Sequence, residues 1–253
     1  MNPKISIITI CRNAGKELQK TIDSVIHQTY SEIEFVFVDG LSDDSETVEI
    51  IERNRTNFHQ FKREKDNGIY NAMNKGISMA TGNFLLFLNA GDRLADDYSV
   101  EAAVKLMQKK EAMIYFTVVV WVDTENKVVR SGIPEINFVS DFYSKNFPHS
   151  GSFYAKDCFK DFGVYDETYK ILGDFDMNLR LLVNHKLPFC VLNVLVSVFY
   201  TGGISTSEKG KELRSGEMER IRNKYSLSPD SPAKKSIFGK RNKKESEQLN
   251  RLY

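Results

Sequence analysis

The sequence is poor in cysteine. Its three, Cys11, Cys158 and Cys190, have no metal-binding spacing and cannot all pair. That excludes a disulfide framework and a cysteine-ligated zinc, and fits a reducing compartment. Net charge is nearly absent: 35 Lys and Arg against 34 Asp and Glu leave a formal +1. A general nucleic-acid binder is normally strongly basic, so nucleic acid is not an expected partner. Long apolar runs are missing too. The longest near the C-terminus, residues 189–200, contains Asn193 and Ser197 and is too short to span a bilayer. After the first strand Gly15 stands alone, which excludes a Gly-rich dinucleotide fingerprint. The chain runs from Pro3-Lys4 straight into a strand, so no signal peptide is expected and the location reads as cytoplasmic. No internal repeat is present.

What remains is an ordinary soluble composition. The 253 residues are 41% hydrophobic and 27% charged, enough for one large domain or two small ones. Residues 82–92 organise the rest. Residues 84–88 form an apolar run bounded by turn residues, the pattern of a strand buried on both faces. It ends in Asn89, Ala90, Gly91 and Asp92. An acidic turn at the carboxyl end of a buried strand is where an open α/β sheet binds its ligand.

Before that turn, strands at residues 4–10, 34–38 and 61–65 alternate with helices at 14–28, after Ser45, and after Tyr70. Ser42, Asp43 and Ser45 are candidate caps for the second helix. This alternation predicts an α/β fold with a mainly parallel central sheet. After Asp92 the pattern changes. A helix is expected at 100–108, a hairpin joining 115–122 to 127–131, a helix at 174–182 and a strand at 189–200. Residues 137–150 are an irregular aromatic stretch. From Ser207 a polar helix leads into a basic run with Lys234, Lys235, Lys240, Arg241, Lys243 and Lys244. We read one domain over 1–206, with halves at 1–98 and 99–206, and a helical, basic tail over 207–253.

Several side chains invite chemistry, each with a plainer use. Thr9, Arg12 and Asn13 follow a strand and precede a helix, where backbone N–H groups suit phosphate; a plain connecting loop is the competing use. Asp39 ends the second strand and can accept from a nucleobase or a ribose; a capping turn competes equally. Asp92 is a candidate ligand for Mg²⁺ or Mn²⁺, which often use one or two carboxylates plus substrate phosphates. Asp174 opens a helix and is either a proton acceptor or an N-cap. Asp176 and Arg180, four apart, are expected to pair on the surface. His149 is a candidate for phosphate or acceptor contact.

Taken together and in order, these segments resemble family 2 glycosyltransferases of the GT-A fold, a Rossmann-like three-layer sandwich. The resemblance rests on Ile5-Ser6-Ile7-Ile8-Thr9-Ile10-Cys11-Arg12-Asn13, on Val38-Asp39-Gly40-Leu41-Ser42-Asp43-Asp44-Ser45 and on Asp66-Asn67-Gly68-Ile69-Tyr70-Asn71-Ala72-Met73-Asn74-Lys75-Gly76. It continues through Phe87-Leu88-Asn89-Ala90-Gly91-Asp92, His149-Ser150-Gly151-Ser152-Phe153-Tyr154 and Gly173-Asp174-Phe175-Asp176-Met177-Asn178-Leu179-Arg180. It covers residues 4–205 and points to bacterial enzymes of capsule, exopolysaccharide or O-chain synthesis.

The resemblance implies a nucleotide-sugar donor, with a UDP-sugar favoured. Thr9, Arg12, Asn13, Asp39, Asp66, Gly68, Asn71, Asn74, Lys75, Asn89, Ala90 and Gly91 would contact it. Asp92 would meet Mn²⁺ or Mg²⁺, and Asp174 would be the catalytic base of an inverting displacement. The acceptor would be a glycan or a lipid-linked glycan. The basic tail is either a solvated end or, with a lipid-linked acceptor, a segment that attaches the enzyme to an anionic membrane surface on the inner face of the cytoplasmic membrane. The chain departs from the family pattern at Asn89 and Gly91, where acids are common, at Gly173, where Glu is common, and at Arg12, where an aromatic is common. The reduced acidic motif leaves room for an inactive nucleotide-sugar-binding scaffold. A nucleotidyltransferase ranks last, because its Gly-rich phosphate loop is missing.

Overall fold

The structure, a computed structural model, describes residues 2–132 and 147–226. The basic cluster 234–244 and most of the aromatic stretch 137–150 lie outside the described residues.

The first half is built from β1 (Ile5–Cys11), α1 (Glu17–Ile26), β2 (Ile33–Asp39), α2 (Ser45–Arg53), β3 (Gln60–Arg63), α3 (Ile69–Met79) and β4 (Phe84–Phe87). These strands pair in parallel, in the order β3-β2-β1-β4. Their apolar runs are continuous because both faces are covered. Ile5, Ile7, Phe35, Phe37 and Leu86 pack with Leu18, Ile22 and Ile51 of α1 and α2. Ile8, Ile10, Val36, Val38 and Phe87 pack on the other face with Tyr70, Met73 and Ile77 of α3.

The second half comprises β5 (Arg93–Leu94), α4 (Ser99–Met107), β6 (Ile114–Val122), β7 (Val128–Gly132), β8 (Ser152–Ala155), α5 (Lys156–Phe162), α6 (Gly173–Leu179), β9 (Phe189–Tyr200) and α7 (Glu208–Lys224). The sheet continues β4-β8-β6-β9-β5, with β7 on β6. β8 runs antiparallel to both its neighbours, while β9 is parallel to β6. The result is a three-layer α/β fold, with α1, α2 and α4 on one face of the sheet and α3, α5 and α6 on the other.

The expected hairpin is present, turning through Asn126 at φ 62. β5, β8 and α5 were not anticipated. At two, four and seven residues they are too short for a periodicity to show. Three local expectations change. Asp44, not Ser42, Asp43 or Ser45, caps α2 by accepting from Thr47 N at 2.8 Å. The helix expected at 174–182 regularises only to Leu179, and Arg180–Asn184 continues as a wider π turn. Asp176 and Arg180 do not form a surface pair. Asp176 is buried against Lys224 Nζ at 2.7 Å, whereas Arg180 donates to the carbonyls of Gly163 and Val164.

At the amino edge of the parallel strands, Glu34 ties the first half together. It accepts from Ser6 Oγ at 2.5 Å, Thr81 N at 2.7 Å and Thr81 Oγ1 at 2.6 Å, and pairs with Lys4. Burial alone would raise its pKa, but these donors outweigh burial and hold it at about 2. The stability this gives is complete above about pH 4.5 and is lost as pH falls through about 2. We expect Glu34→Gln to cost about 1–3 kcal/mol at neutral pH. In denaturant titrations, the gap from the unsubstituted chain should narrow between about pH 4.5 and about pH 2. A pH-independent gap would contradict the assignment.

Candidate functional site

The chain runs outward from β1 to β3, then returns to place β4 on the other side of β1. α1 therefore leaves β1 on one face of the sheet and α3 precedes β4 on the other. Such a switch point opens a crevice at the carboxyl ends of the strands. A cavity of about 870 Å³ lies there.

Its floor is the turn after β4. Ala90 N donates to Ile10 O at 3.0 Å, stitching the turn to the end of β1. Gly91 adopts φ 101, a conformation that favours glycine, which lets the turn reverse and lead into Asp92. Thr21 of α1 holds both sides of the reversal. Its Oγ1 accepts from Gly91 N at 2.9 Å and donates to Asp92 O at 2.6 Å. Nothing in the sequence singled out Thr21, because a threonine inside a helix carries no motif.

Asp92 is 5% exposed and accepts from Tyr200 N at 3.2 Å. Burial raises its pKa to about 8, against a smaller downward pull from His149. Asn89 Nδ2 lies 2.9 Å from His149 Nε2, across the ring from Nδ1. That nitrogen faces Asp174 Oδ2 at 3.4 Å. Asn89, His149 and Asp174 thus form a line from the cavity floor to the start of α6. Asn89 Oδ1 is buried without a hydrogen-bond partner among the described residues. His149 lines the cavity, and the Asp174 side chain beside it keeps 8% exposure.

One wall comes from the loops after β1 and β3, braced from behind by the loop after β2. Ser42 Oγ accepts from Asn13 N at 2.9 Å and donates to Asp39 Oδ1 at 2.6 Å. Asn13 Nδ2 donates to Asp43 Oδ1 and its Oδ1 accepts from Asp43 N, and Arg63 Nε meets Asp39 Oδ2 at 3.0 Å. Asp66 packs over Gly40 so closely that a Cβ at residue 40 would fall 2.0 Å from its Oδ2. The residue after Asp39 therefore has to be small, which is why an Asp-Gly pair closes β2.

Of the residues picked from the sequence, Arg12, Asn13, Asp66, Gly68, Asn89, Ala90, Gly91, Asp92 and His149 line this one cavity. The others stand outside its wall. Thr9 is fully buried in β1, and Asp39 is engaged by Ser42 and Arg63. Asn71 and Asn74 bind Glu167, and Asn74 also holds Tyr165 O. Lys75 reaches Lys65 O and Glu64. These last three tie α3 to its neighbours. Sequence reasoning missed the far wall: Lys20, Asp123, Asn126, Lys170 and the loop from Phe199 to Ser205. Only the Gly202-Gly203 pair after a long strand offered a signal there.

Residues 6–168 match the family model described as Glycosyl transferase family 2. The chain belongs to that family. It is a glycosyltransferase. It is 32% identical over 216 residues to a PGL/p-HBAD biosynthesis glycosyltransferase of Mycobacterium tuberculosis, covering 83% of this chain and 82% of the relative. Among solved structures it resembles Staphylococcus aureus TarS residues 1–349 in complex with UDP-GlcNAc. The TM-score is 0.66 at 17% identity, over 88% of this chain and 71% of that one. It also resembles the mannosyltransferase PcManGT of Pyrobaculum calidifontis in complex with GDP-Man and Mn²⁺, at TM-score 0.63 and 16% identity, over 94% and 68% of the two chains. At such identities the two structures establish the shared fold of this family 2 glycosyltransferase.

The raised pKa of Asp92 makes a test possible without substrate. Stability tied to its protonated form is complete below about pH 3.8 and is lost as pH rises through about 8. Asn keeps the shape and never ionises. In cation-free buffer, we expect the Asp92→Asn melting temperature to gain on the unsubstituted chain between about pH 4 and about pH 8, reaching on the order of 10 °C. A difference that does not change with pH would show that Asp92 titrates normally.

Proposed function

We propose that this glycosyltransferase moves a sugar from a nucleoside diphosphate to a hydroxyl of a glycan or lipid-linked glycan in bacterial surface polysaccharide synthesis, with inversion at the anomeric carbon. One observation carries the reading. Asp92, Asn89 and His149 line the carboxyl-edge cavity with Arg12 and Asp66, and Asp174 lies directly behind His149, 3.4 Å from its Nδ1. A UDP-sugar is the favoured donor, following the complex known for TarS.

Arg12, Asn13, Asp66 and Gly68 would hold base and ribose. Arg12 stands where a guanidinium plane can stack on a base. Thr9, Asp39, Asn71, Asn74 and Lys75 would act behind them, by fixing the loops that carry the contact residues. Asn89, Ala90 and Gly91 would meet the donor near its diphosphate. The residues fit a divalent cation shared with that diphosphate. Asp92 offers a buried carboxylate and Asn89 an oxygen without a partner, and Mg²⁺ or Mn²⁺ completes such sets with phosphate oxygens. When bound, the ion offsets the charge of the departing diphosphate.

Asp174 would accept the proton of the attacking acceptor hydroxyl. His149, with Nδ1 3.4 Å from Asp174 Oδ2 and Nε2 toward Asn89, would help to orient that carboxylate. A single displacement needs no covalent enzyme intermediate. The nucleophile is a weak one, so base catalysis and leaving-group stabilisation dominate.

Asp174→Asn keeps the shape and removes the base. Sugar transfer should fall ~10²–10⁴-fold with donor affinity within a few fold, as read by product formation and by calorimetric donor titration. Near-normal turnover in that variant, with loss in Asp176→Asn instead, would move the base to the other side of α6. For the metal, Asp92→Ala should weaken nucleoside diphosphate binding in Mn²⁺ by at least roughly tenfold and change it little in EDTA. Equal affinity in both buffers before and after substitution would remove Asp92 from the ion.

A further inference from the structure

α7 is a polar helix in an unusual position. Ile221 is buried, and the half-buried Leu213 and Met218 pack with it against the core. Its polar ties converge on the segment leading to Asp174. Glu217 accepts from the backbone N–H groups of Lys170, Ile171 and Leu172, the last two at 3.0 and 2.8 Å. Arg220 Nη2 meets Asp166 Oδ2 at 3.0 Å and lies over the Tyr169 ring. Lys224 Nζ reaches the buried Asp176 at 2.7 Å.

The three amides held by Glu217 are consecutive and end one residue before Gly173-Asp174. The same segment is held from the opposite side by α3. Tyr70 Oη donates to Ile171 O at 2.8 Å and accepts from Asp174 N at 3.3 Å. Gly173 allows this approach: a Cβ there would fall 2.7 Å from the Tyr70 ring. The backbone of Asp174 is therefore set by a two-sided clamp, a phenol from the first half and a carboxylate from the C-terminal helix. Leu172, which precedes α6, has no side-chain cap to offer, so a carboxylate from another helix supplies the anchor its N–H requires. Three N–H donors on one carboxylate, two of them at normal charge-assisted distances, make a strong and directional anchor.

We propose that Glu217 is a positioning residue for the transfer reaction: from α7 it fixes the backbone at 170–172 and thereby the placement of Asp174 toward His149 and the cavity. This rests on the reading of Asp174 as the base. Glu217 touches no substrate, and its effect is on the chemical step rather than on donor capture.

The test compares Glu217→Ala, Glu217→Gln and Arg220→Ala in the full chain. We expect Glu217→Ala to lower kcat for sugar transfer at least tenfold with the donor KM within threefold. Glu217→Gln, which keeps an acceptor oxygen, should recover most of the loss and serves if the alanine variant does not fold. Arg220→Ala loosens the same helix without touching the three amides and should keep kcat within threefold. Hydrogen exchange should accelerate at the amides of Lys170, Ile171 and Leu172 in Glu217→Ala and not in Arg220→Ala. A folded Glu217→Ala with kcat within twofold of the unsubstituted chain overturns the proposal, as does an equal loss in Arg220→Ala. If the unsubstituted chain transfers no sugar from any nucleoside diphosphate, the functional reading falls. Exchange then decides alone: acceleration confined to residues 170–174 upholds the positioning, and unchanged exchange overturns it.

Discussion

The parallel pairing of β1 with β4 is the constraint on which the rest depends. The register Ile5↔Phe84 to Ile8↔Phe87 brings the end of β1 against the turn Asn89-Ala90-Gly91-Asp92, and Ala90 N closes the contact on Ile10 O. A one-residue slip would turn Leu85 and Phe87 toward the α1 layer and Leu86 toward α3, exposing both cores to the wrong partners. Because each strand is buried on both faces, that slip is prohibitive. The position of Asp92 relative to Arg12 and Asn13 is therefore inherited from core packing rather than set by the loops themselves.

The two edges of the parallel strands are treated differently. At the amino edge Glu34 is matched by donors from three residues, Lys4, Ser6 and Thr81. At the carboxyl edge a carboxyl is buried at a cost, and its pKa of about 8 records that cost. Thr21 and Tyr200 N keep it in place all the same.

Much of this was legible in the residues. The apolar runs of β1, β2 and β4 carried the sheet because burial on both faces leaves an unbroken signature. The acidic turn after β4 pointed to the cavity, and His149 and Asp174, 25 positions apart, meet at 3.4 Å there. Other parts were opaque for physical reasons. Lys170 and the loop 199–205 reach the cavity through the long-range order of β8, β6 and β9, which alternation of strands and helices does not encode. Asp176 sits two residues from Asp174 and looks equally exposed in the sequence, yet it is buried beneath α7 among Tyr169, Lys224 and Tyr225. Its fate depended on a helix that begins at Glu208. The departure at residue 173, where a larger acid is common in the family, follows from the Tyr70 ring occupying the space a side chain would need.

The buried oxygens left without partners among the described residues carry an evolutionary consequence. Thr9 Oγ1, Asn89 Oδ1 and Ser150 Oγ belong to this group. Each sits at or beside the carboxyl ends of the central strands, and each could be traded for an apolar group of similar size. Such replacements tend to relieve a desolvation penalty. Selection for robustness alone would therefore erode these positions first. Whether a lineage keeps them polar or fills them with valine and leucine therefore records whether a pressure other than stability acts on the crevice.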